Sequence, residues 1–188
     1  MRKSLLMLMV FVCSCAMISC SNKTKNSNDT KQEVEKIADI KGLAVIDNVE
    51  HFIAQINTIG TVTEEKKEDD SYTYHFKAPE DNNQPYISAI VVHHYDGQIE
   101  AIEVFYENAT TSNLDEMIKK KYGVTEKTSV SVDDSMFGSL YGYKIGKTII
   151  DTDYFSGITY INYKNYEIVK KHKNDEKQNE QKGLEGNI

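Results

Sequence analysis

The amino-acid sequence predicts an α+β protein of two tandem units, each a helix followed by an antiparallel sheet. Three observations support this class: two amphipathic segments with helix start and stop residues, β-branched and aromatic runs after each, and glycine turns between the runs. With 188 residues, the chain is long enough for one ordinary domain or two very small ones. We place the first unit at about 45–107 and the second at about 111–165.

The chain begins with a segment typical of an export signal. Arg2 and Lys3 precede the apolar run 5–12, and mostly small residues follow as far as Ser19. This run is too short to span a bilayer, and no later stretch is long enough either. We therefore expect residues 1–19 to be removed as a signal peptide.

The cysteines indicate the kind of signal. Cys13, Cys15 and Cys20 are the only cysteines, so the rest of the chain cannot form a disulfide within itself. The sequence Met-Ile-Ser-Cys at 17–20 resembles a lipobox, which predicts cleavage before Cys20 and attachment of two or three acyl chains, enough for stable anchoring. The alternatives are cleavage before Cys15 and an ordinary signal peptide with chance cysteines.

Composition defines the ends of the folded body. Residues 21–32 have no apolar side chain, so residues 20–33 are predicted to be the lipidated cysteine and a flexible tether. Residues 170–183 have no aliphatic side chain and no Phe, Tyr or Trp. We therefore expect a body at 34–169 and a polar tail at 170–188.

The net charge argues against two classes of partner. Lys and Arg total 22, and loss of Arg2 and Lys3 with the signal leaves 20 against 29 acidic residues, a net charge of −9. Such a surface repels nucleic acid and anionic head groups. We expect no nucleic-acid partner and membrane contact through the lipid alone.

The first helix is predicted from its start, its stripe and its stop. Asp47 and Glu50 have the spacing of a capping box, and Gly60 ends the pattern. The apolar stripe consists of Val49, Phe52, Ile53 and Ile56.

The second helix is predicted to start at Ser112 or Asn113, with two acidic residues in its first turn. Lysines 119–121 lie at its carboxyl end, and Gly123 stops it. Its stripe consists of Leu114, Met117, Ile118 and Tyr122.

The remaining periodic segments predict strands. The runs 87–95 and 99–106 are joined by Asp96-Gly97, which suits the type I′ turn of a two-residue hairpin. The other predicted strands are 72–76, 141–145, 148–152 and 158–163. Segments 47–106 and 113–163 thus repeat one order of elements, which predicts an internal duplication.

Three segments carry a resemblance to known proteins. Residues 114–123, 146–150 and 157–163 resemble uncharacterised lipoproteins of gut Bacteroidetes. The layout is similar to the β-lactamase-inhibitor-protein fold and to outer-membrane assembly lipoproteins of the SmpA/OmlA type, although those inhibitors have more helix per unit. The resemblance implies no catalytic residues. It also implies the periplasmic face of the outer membrane, since no acidic residue directly follows Cys20, and O-glycosylation of Ser135 within Asp134-Ser135-Met136.

The sequence contains no catalytic motif, so we predict a protein that is not an enzyme. His93 and His94 are adjacent in a strand and point to opposite faces, so they cannot chelate one ion, and we expect no metal and no cofactor. Asp151 and Asp153 lack the further oxygen ligands and the glycine of a calcium loop. The charged run 64–70 is predicted to be a solvated loop or hairpin tip.

The 12 tyrosines are the unusual feature of the composition, and six fall between 141 and 166. Tyrosine suits recognition surfaces, but it is also a common half-buried strand residue. We predict an interaction surface for a protein or peptide in the cell envelope, which makes the chain a non-enzymatic binding or assembly module. The alternative function is a small hydrolase or a glycan-binding accessory lipoprotein. The predicted surface comprises Tyr141, Tyr143, Tyr160 and Tyr163.

Overall fold

The computed structural model describes residues 36–45, 48–135 and 138–185, with side chains as far as Lys182. These residues belong to one compact unit, Val34–Ile188. The strands are β1 (Asp39–Ile40), β2 (Leu43–Ala44), β3 (Val62–Lys67), β4 (Ser71–Phe76), β5 (Tyr86–Tyr95), β6 (Gln98–Glu107), β7 (Thr128–Ser131), β8 (Ser139–Ile145), β9 (Thr148–Phe155) and β10 (Ile158–Asn165). The helices are α1 (Val49–Ala54), α2 (Thr111–Tyr122) and α3 (Tyr166–Glu185), and a 3₁₀ turn, Ile56–Thr58, follows α1.

Eight strands form one antiparallel sheet in the order β3-β4-β5-β6-β10-β9-β8-β7, and β1 and β2 form a separate small hairpin. The two halves of the chain meet at the centre of the large sheet. There β6 pairs with β10 from Tyr106 opposite Thr159 to Ala101 opposite Lys164. The sheet is therefore continuous across the predicted unit boundary.

The prediction of two tandem α+β units is wrong. The fold is mostly β, with 45% strand and 27% helix, and it contains one large sheet rather than two. Two separate sheets would leave unpaired backbone groups along β6 and β10. Pairing these strands satisfies those groups and joins the apolar faces of both halves into one core.

The hairpin between β5 and β6 confirms the predicted turn. Asp96 and Gly97 have φ angles of 53° and 72°, the positive values that a type I′ turn requires at both central positions. The strands pair directly after the turn, with Tyr95 opposite Gln98. This tight connection places two ten-residue strands side by side near the middle of the sheet.

One face of the sheet carries the hydrophobic core. Cross-strand partners share a face, so the register that aligns Tyr74, Ile90, Val104 and Ile161 forms one apolar row across the sheet. The two halves share the core on this face. The elements packed on it contribute Ile40, Leu43, Phe52, Ile56, Leu114, Ile118 and Tyr122.

The helix ends follow ordinary capping chemistry. The Asn48 side chain caps α1 by accepting from the backbone N–H of Glu50 at 2.8 Å, whereas the predicted cap, Asp47, lies outside the described residues. Helix α1 is shorter than predicted because the chain tightens into the 3₁₀ turn after it. Helix α2 is capped by Thr110 and ends at Gly123, whose φ of 67° confirms the predicted stop.

The C-terminal polar segment forms most of α3. The His172 ring stacks on Tyr95 with centroids 4.0 Å apart, and its Nδ1 lies 3.0 Å from Glu100. Lys171 pairs with Asp96 in the β5–β6 turn. These contacts hold the first half of α3 against the sheet, and side chains 176–182 are exposed.

The edge strands of the sheet are polar. Four charged residues, 64–67, make up most of β3, and their side chains are exposed. The other edge, β7, has only four residues, three of them Ser or Thr. Among the described helices, none is long and apolar enough to cross a membrane.

Candidate functional site

The structure divides the predicted tyrosine surface into exposed and buried rings. Tyr141 is 61% exposed and Tyr160 is partly exposed, whereas Tyr143 and Tyr163 are buried in the core at 2% and 4%. The four rings therefore do not form one surface. Cys20 and Met136 lie outside the described residues.

Strand β8 separates Tyr141 from Tyr143 by changing partners. Residues 139–142 pair with β7, and residues 143–145 pair with β9. At Gly142 a Cβ atom would lie 2.5 Å from the carbonyl oxygen of Ile150, so only glycine permits this approach. Beyond this point Tyr143 lies under α2, whereas Tyr141 lies near the sheet edge and is open to solvent.

Tyr143 belongs to an ionic network at the start of α2. Its hydroxyl donates to Asp115 at 3.0 Å, and the Thr152 hydroxyl donates to the other carboxylate oxygen at 2.8 Å. Lys127 lies 3.5 Å from Asp115 and 2.7 Å from Asp151. The network ties α2 to β8 and β9.

The pKa directions in this network favour a structural role. Burial acts to raise the pKa of Asp115, but the hydroxyls of Thr152 and Tyr143 and the charge of Lys127 outweigh it, so this pKa lies below its ordinary value. Burial acts to lower the pKa of Lys127, but Asp151 and Asp115 outweigh it and raise this pKa. Acid–base catalysts need pKa values near the working pH, and both shifts here lead away from neutrality.

The histidines are dispersed. The carboxylate of Glu103, 4.0 Å from the ring nitrogen of His93, is the main cause that raises the pKa of His93. His94 lies on the other face, with its ring 5.4 Å from that of Tyr72. His75 is exposed on β4. Within the described ranges, no three His, Cys, Asp or Glu side chains are grouped as ligands for a metal ion.

Ser135 is exposed in the loop between β7 and β8, beside Asp134. Its backbone N–H donates to Asp133 at 2.7 Å, and its hydroxyl donates to the same carboxylate oxygen. These hydrogen bonds, together with Lys173, hold the pKa of Asp133 well below its usual range. The Ser135 hydroxyl is thus at the surface but engaged by a neighbouring carboxylate.

The end of the β9–β10 hairpin carries a cluster of apolar side chains, of which only Tyr160 belongs to the surface predicted from the sequence. Phe155 and Ile158 are cross-strand partners beside the turn, and they are 76% and 40% exposed. Tyr160 follows on the same face, and its ring lies 5.3 Å from that of its partner Phe105. We call these four side chains the hairpin-end surface.

A cavity of about 490 Å³ lies on the core side, between the sheet, α2, the β1–β2 hairpin and the loop that joins β4 to β5. Both prolines of the chain, Pro79 and Pro85, line it, so we call it the proline-rimmed cavity. Its other lining residues are Asp39, Ile40, Lys41, Ile59, Gly60, Phe76, Lys77, Tyr86, Ile87, Tyr106, Met117, Lys121 and Tyr163.

A smaller polar cleft of about 200 Å³ lies beside Tyr141, on the face opposite the core. Asp151, Asp153 and Asn162 line it, and the Asn162 side-chain oxygen is buried without a hydrogen-bond partner among the described residues. The hairpin-end surface, the proline-rimmed cavity and this polar cleft, all formed by described residues, have the geometry of binding sites. Comparisons with protein-family models, curated protein sequences and solved structures found no match for this chain.

Proposed function

We propose that the chain is a lipoprotein of the outer membrane, anchored through an acylated Cys20 on the periplasmic side, that binds another envelope protein without catalysing a reaction. The hairpin-end surface is the observation that carries this proposal. Isolated exposed apolar side chains are common, whereas contiguous ones on a soluble protein favour a binding role.

The composition of the hairpin-end surface suits protein recognition. Aromatic rings bury a large apolar area at low cost in conformational entropy, and interfaces commonly have an apolar centre with a polar rim. Here Asp153 accepts from the Tyr160 hydroxyl at 3.2 Å, and Glu107 is exposed at the adjacent end of β6. An apolar centre with acidic groups beside it fits a partner that surrounds an apolar pocket with Lys or Arg.

The place of this surface in the fold supports the same proposal. Helix α3 begins at the opposite end of β10, so its contacts with Tyr95, Asp96 and Glu100 leave the hairpin end uncovered. A partner could reach Phe155 and Ile158 without moving any described element.

Site-specific photo-crosslinking in intact envelopes tests the partner. A benzoylphenylalanine at position 155 should give one discrete crosslinked product with an envelope protein. The same probe at Ile37, which is also exposed but lies before β1, is the matched control. The double substitution of Phe155→Ser and Ile158→Ser should abolish crosslinking of the partner protein by a probe placed at Tyr154. The melting temperature should stay within about 2 °C of the wild-type value, as expected for surface positions.

Equal crosslinking patterns at positions 155 and 37 would refute a specific surface at the hairpin end.

The anchor is tested separately, since Cys20→Ser should abolish labelling with a radioactive fatty acid and release the protein from membranes. Persistent labelling of that variant would show that Cys20 is not the lipidated residue. Removal of the domain by protease added to intact cells would overturn the periplasmic location.

A second candidate function, glycan binding, is favoured by the polar cleft. Exposed Tyr141 offers an apolar ring face, and Asp151, Asp153 and the unpartnered oxygen of Asn162 offer acceptors for sugar hydroxyls. Tyr141→Ala should abolish retention on immobilised envelope glycans if this function is correct. The Phe155→Ser variant should then bind those glycans normally, which separates the two proposals.

A further inference from the structure

We infer that the proline-rimmed cavity binds a single-chain amphiphile with an anionic head group, such as a long-chain carboxylate. This site is distinct from the hairpin-end surface and does not depend on it. The volume of about 490 Å³ lies within the range of roughly 300–1,000 Å³ typical of small-molecule sites.

The walls of the cavity suit an alkyl chain. Phe76 and Ile87 form part of the sheet side, Ile59 lies on the side of the 3₁₀ turn, and Met117 lies on the α2 side. The Met117 side chain is 41% exposed, although it belongs to the apolar stripe of α2. A ligand chain lying against Met117 would cover this exposed apolar surface, and burial of apolar area is the main driving force for such binding.

Two prolines restrict the backbone of the cavity rim. Pro79 and Pro85 have fixed φ angles, and both lie in the connection between β4 and β5. The side-chain amide of Asn108 donates to the backbone carbonyl of Asn82, which ties this connection to the end of β6. Restricting the rim in this way reduces the entropy lost when a ligand binds.

The charges on the lining favour an anion. Three lysines, Lys41, Lys77 and Lys121, lie around the cavity, although the whole chain has a net charge of −7. Lys121 pairs with Asp39 at 2.8 Å, whereas Lys77 has no ion-pair partner among the described residues. A carboxylate at Lys77 would gain a charge partner there, while a cationic head group would be repelled.

Two tyrosines extend the polar part of the lining. Burial raises the pKa of Tyr106 to about 12, and burial together with Tyr106 and Tyr122 raises the pKa of Tyr163 well above its ordinary value. Both hydroxyls therefore stay protonated at neutral pH. They are neutral groups that add no negative charge against an anionic ligand.

Calorimetric titration of residues 21–188, which contain the whole compact unit, tests the site. The probes are dodecanoate and dodecyltrimethylammonium, each below its critical micelle concentration. The variants are Met117→Trp, which fills the cavity from its exposed edge, and Lys77→Glu, which reverses the unpaired charge. Lys120→Glu is the matched control, because Lys120 is exposed on α2 and does not line the cavity.

Dodecanoate should bind with a stoichiometry of one to one. The substitution Met117→Trp should lower the affinity for dodecanoate by about tenfold or more. Lys77→Glu should lower the affinity for dodecanoate by about three- to fivefold, which is the effect of one solvent-screened charge. Lys120→Glu should leave this affinity unchanged. Melting curves of all variants establish that each is folded. The inference fails if dodecanoate does not bind, if Met117→Trp binds it normally, or if both amphiphiles bind equally well. It also fails if Met117→Trp changes only the oligomeric state, since the cavity would then accommodate a second copy of the chain.

Discussion

Asp115 supplements the apolar packing of α2 with polar contacts to two strands of the sheet. Its carboxylate accepts from Tyr143 and Thr152 on two neighbouring strands and lies beside Lys127. Because hydrogen bonds to a charged acceptor are stronger than those to a neutral one, the ionised form is the one that holds this arrangement. The stability of the fold should therefore depend on the charge of this single side chain.

We predict that Asp115→Asn lowers the free energy of unfolding by about 1–3 kcal/mol at pH 7. The pKa of Asp115 is lowered in the folded state, so its stabilising effect is present above the unfolded value of about 4 and is lost as the pH falls through the folded value. Urea unfolding from pH 7 to pH 3 measures this. The difference between wild type and variant should be constant at the higher pH values and shrink below about pH 4.

Asp134→Asn is the matched control, because Asp134 is exposed in the β7–β8 loop. This substitution should change the stability by less than about 0.5 kcal/mol. If Asp115→Asn lowers the free energy of unfolding equally at every pH, the charge of Asp115 does not hold α2. An equal decrease in the Asp134→Asn control would lead to the same conclusion.

At the residue scale, the sequence predicts which side chains share a strand face but not which face is covered. Alternation predicts that Tyr141 and Tyr143 share one face of their strand, yet the change of partner at Gly142 leaves Tyr141 exposed and buries Tyr143. The same limit applies to Phe155 and Ile158, which look like ordinary strand residues and lie beyond the reach of the core. Burial depends on where distant elements pack, and local alternation carries no information about that.

At the scale of elements, Gly142 determines the path of β8. A Cβ at this position would meet the Ile150 backbone, which cannot move without breaking the β8–β9 pairing. We predict that Gly142→Ala destabilises the fold by about 1–3 kcal/mol, as overpacking of a core does. Urea unfolding measures the loss, and near-ultraviolet circular dichroism should show a changed environment for the tyrosines.

Gly60→Ala provides the comparison for that measurement. Its Cβ would lie 3.1 Å from a ring carbon of Phe76, and a side chain can shift where a backbone cannot. This variant should lose less stability than Gly142→Ala. Equal losses would mean that the close approach of β8 and β9 is not what requires glycine.

Local sequence patterns predict whether a segment is a helix or a strand better than they predict how long a helix is. The stop of α2 is predictable because Gly123 can adopt a positive φ, whereas its start, expected at Ser112 or Asn113, lies at Thr111 after the Thr110 cap. Helix α3 is harder to predict, since most of it has no apolar stripe. Its Lys, Glu and Gln residues favour helix intrinsically, and the stacking of His172 on Tyr95 fixes it to the sheet.

At the scale of the whole molecule, the two halves depend on each other. Besides the β6–β10 pairing, the Tyr122 hydroxyl donates to the carbonyl of Asp39 at 2.8 Å, and Lys36 donates to the carbonyl of Tyr122 at 3.0 Å. These contacts link the first described segment with the end of α2. Pairings between such distant segments leave no trace in local periodicity, so the sequence pattern alone predicts two sheets instead of one.

We predict that residues 36–109 and 110–185 do not fold as separate chains. Each fragment would expose one side of the shared core and an unpaired central strand. Circular dichroism and dispersion of amide resonances should show little structure in each fragment and recovery of the native spectrum on mixing. Cooperative unfolding of either fragment alone would restore the idea of two independent units.

The charged strand β3 has a consequence for molecules that share a membrane. Proteins tethered by lipid, as proposed above, move in two dimensions and meet each other far more often than in free solution. An open sheet with an apolar edge would then recruit further copies strand by strand into a growing ribbon. The row of Glu and Lys at 64–67 makes each such encounter costly in desolvation, and the short β7 offers few backbone groups to a neighbour. For a lipid-anchored chain, as proposed above, these polar edges would permit crowding on the membrane without strand-by-strand growth.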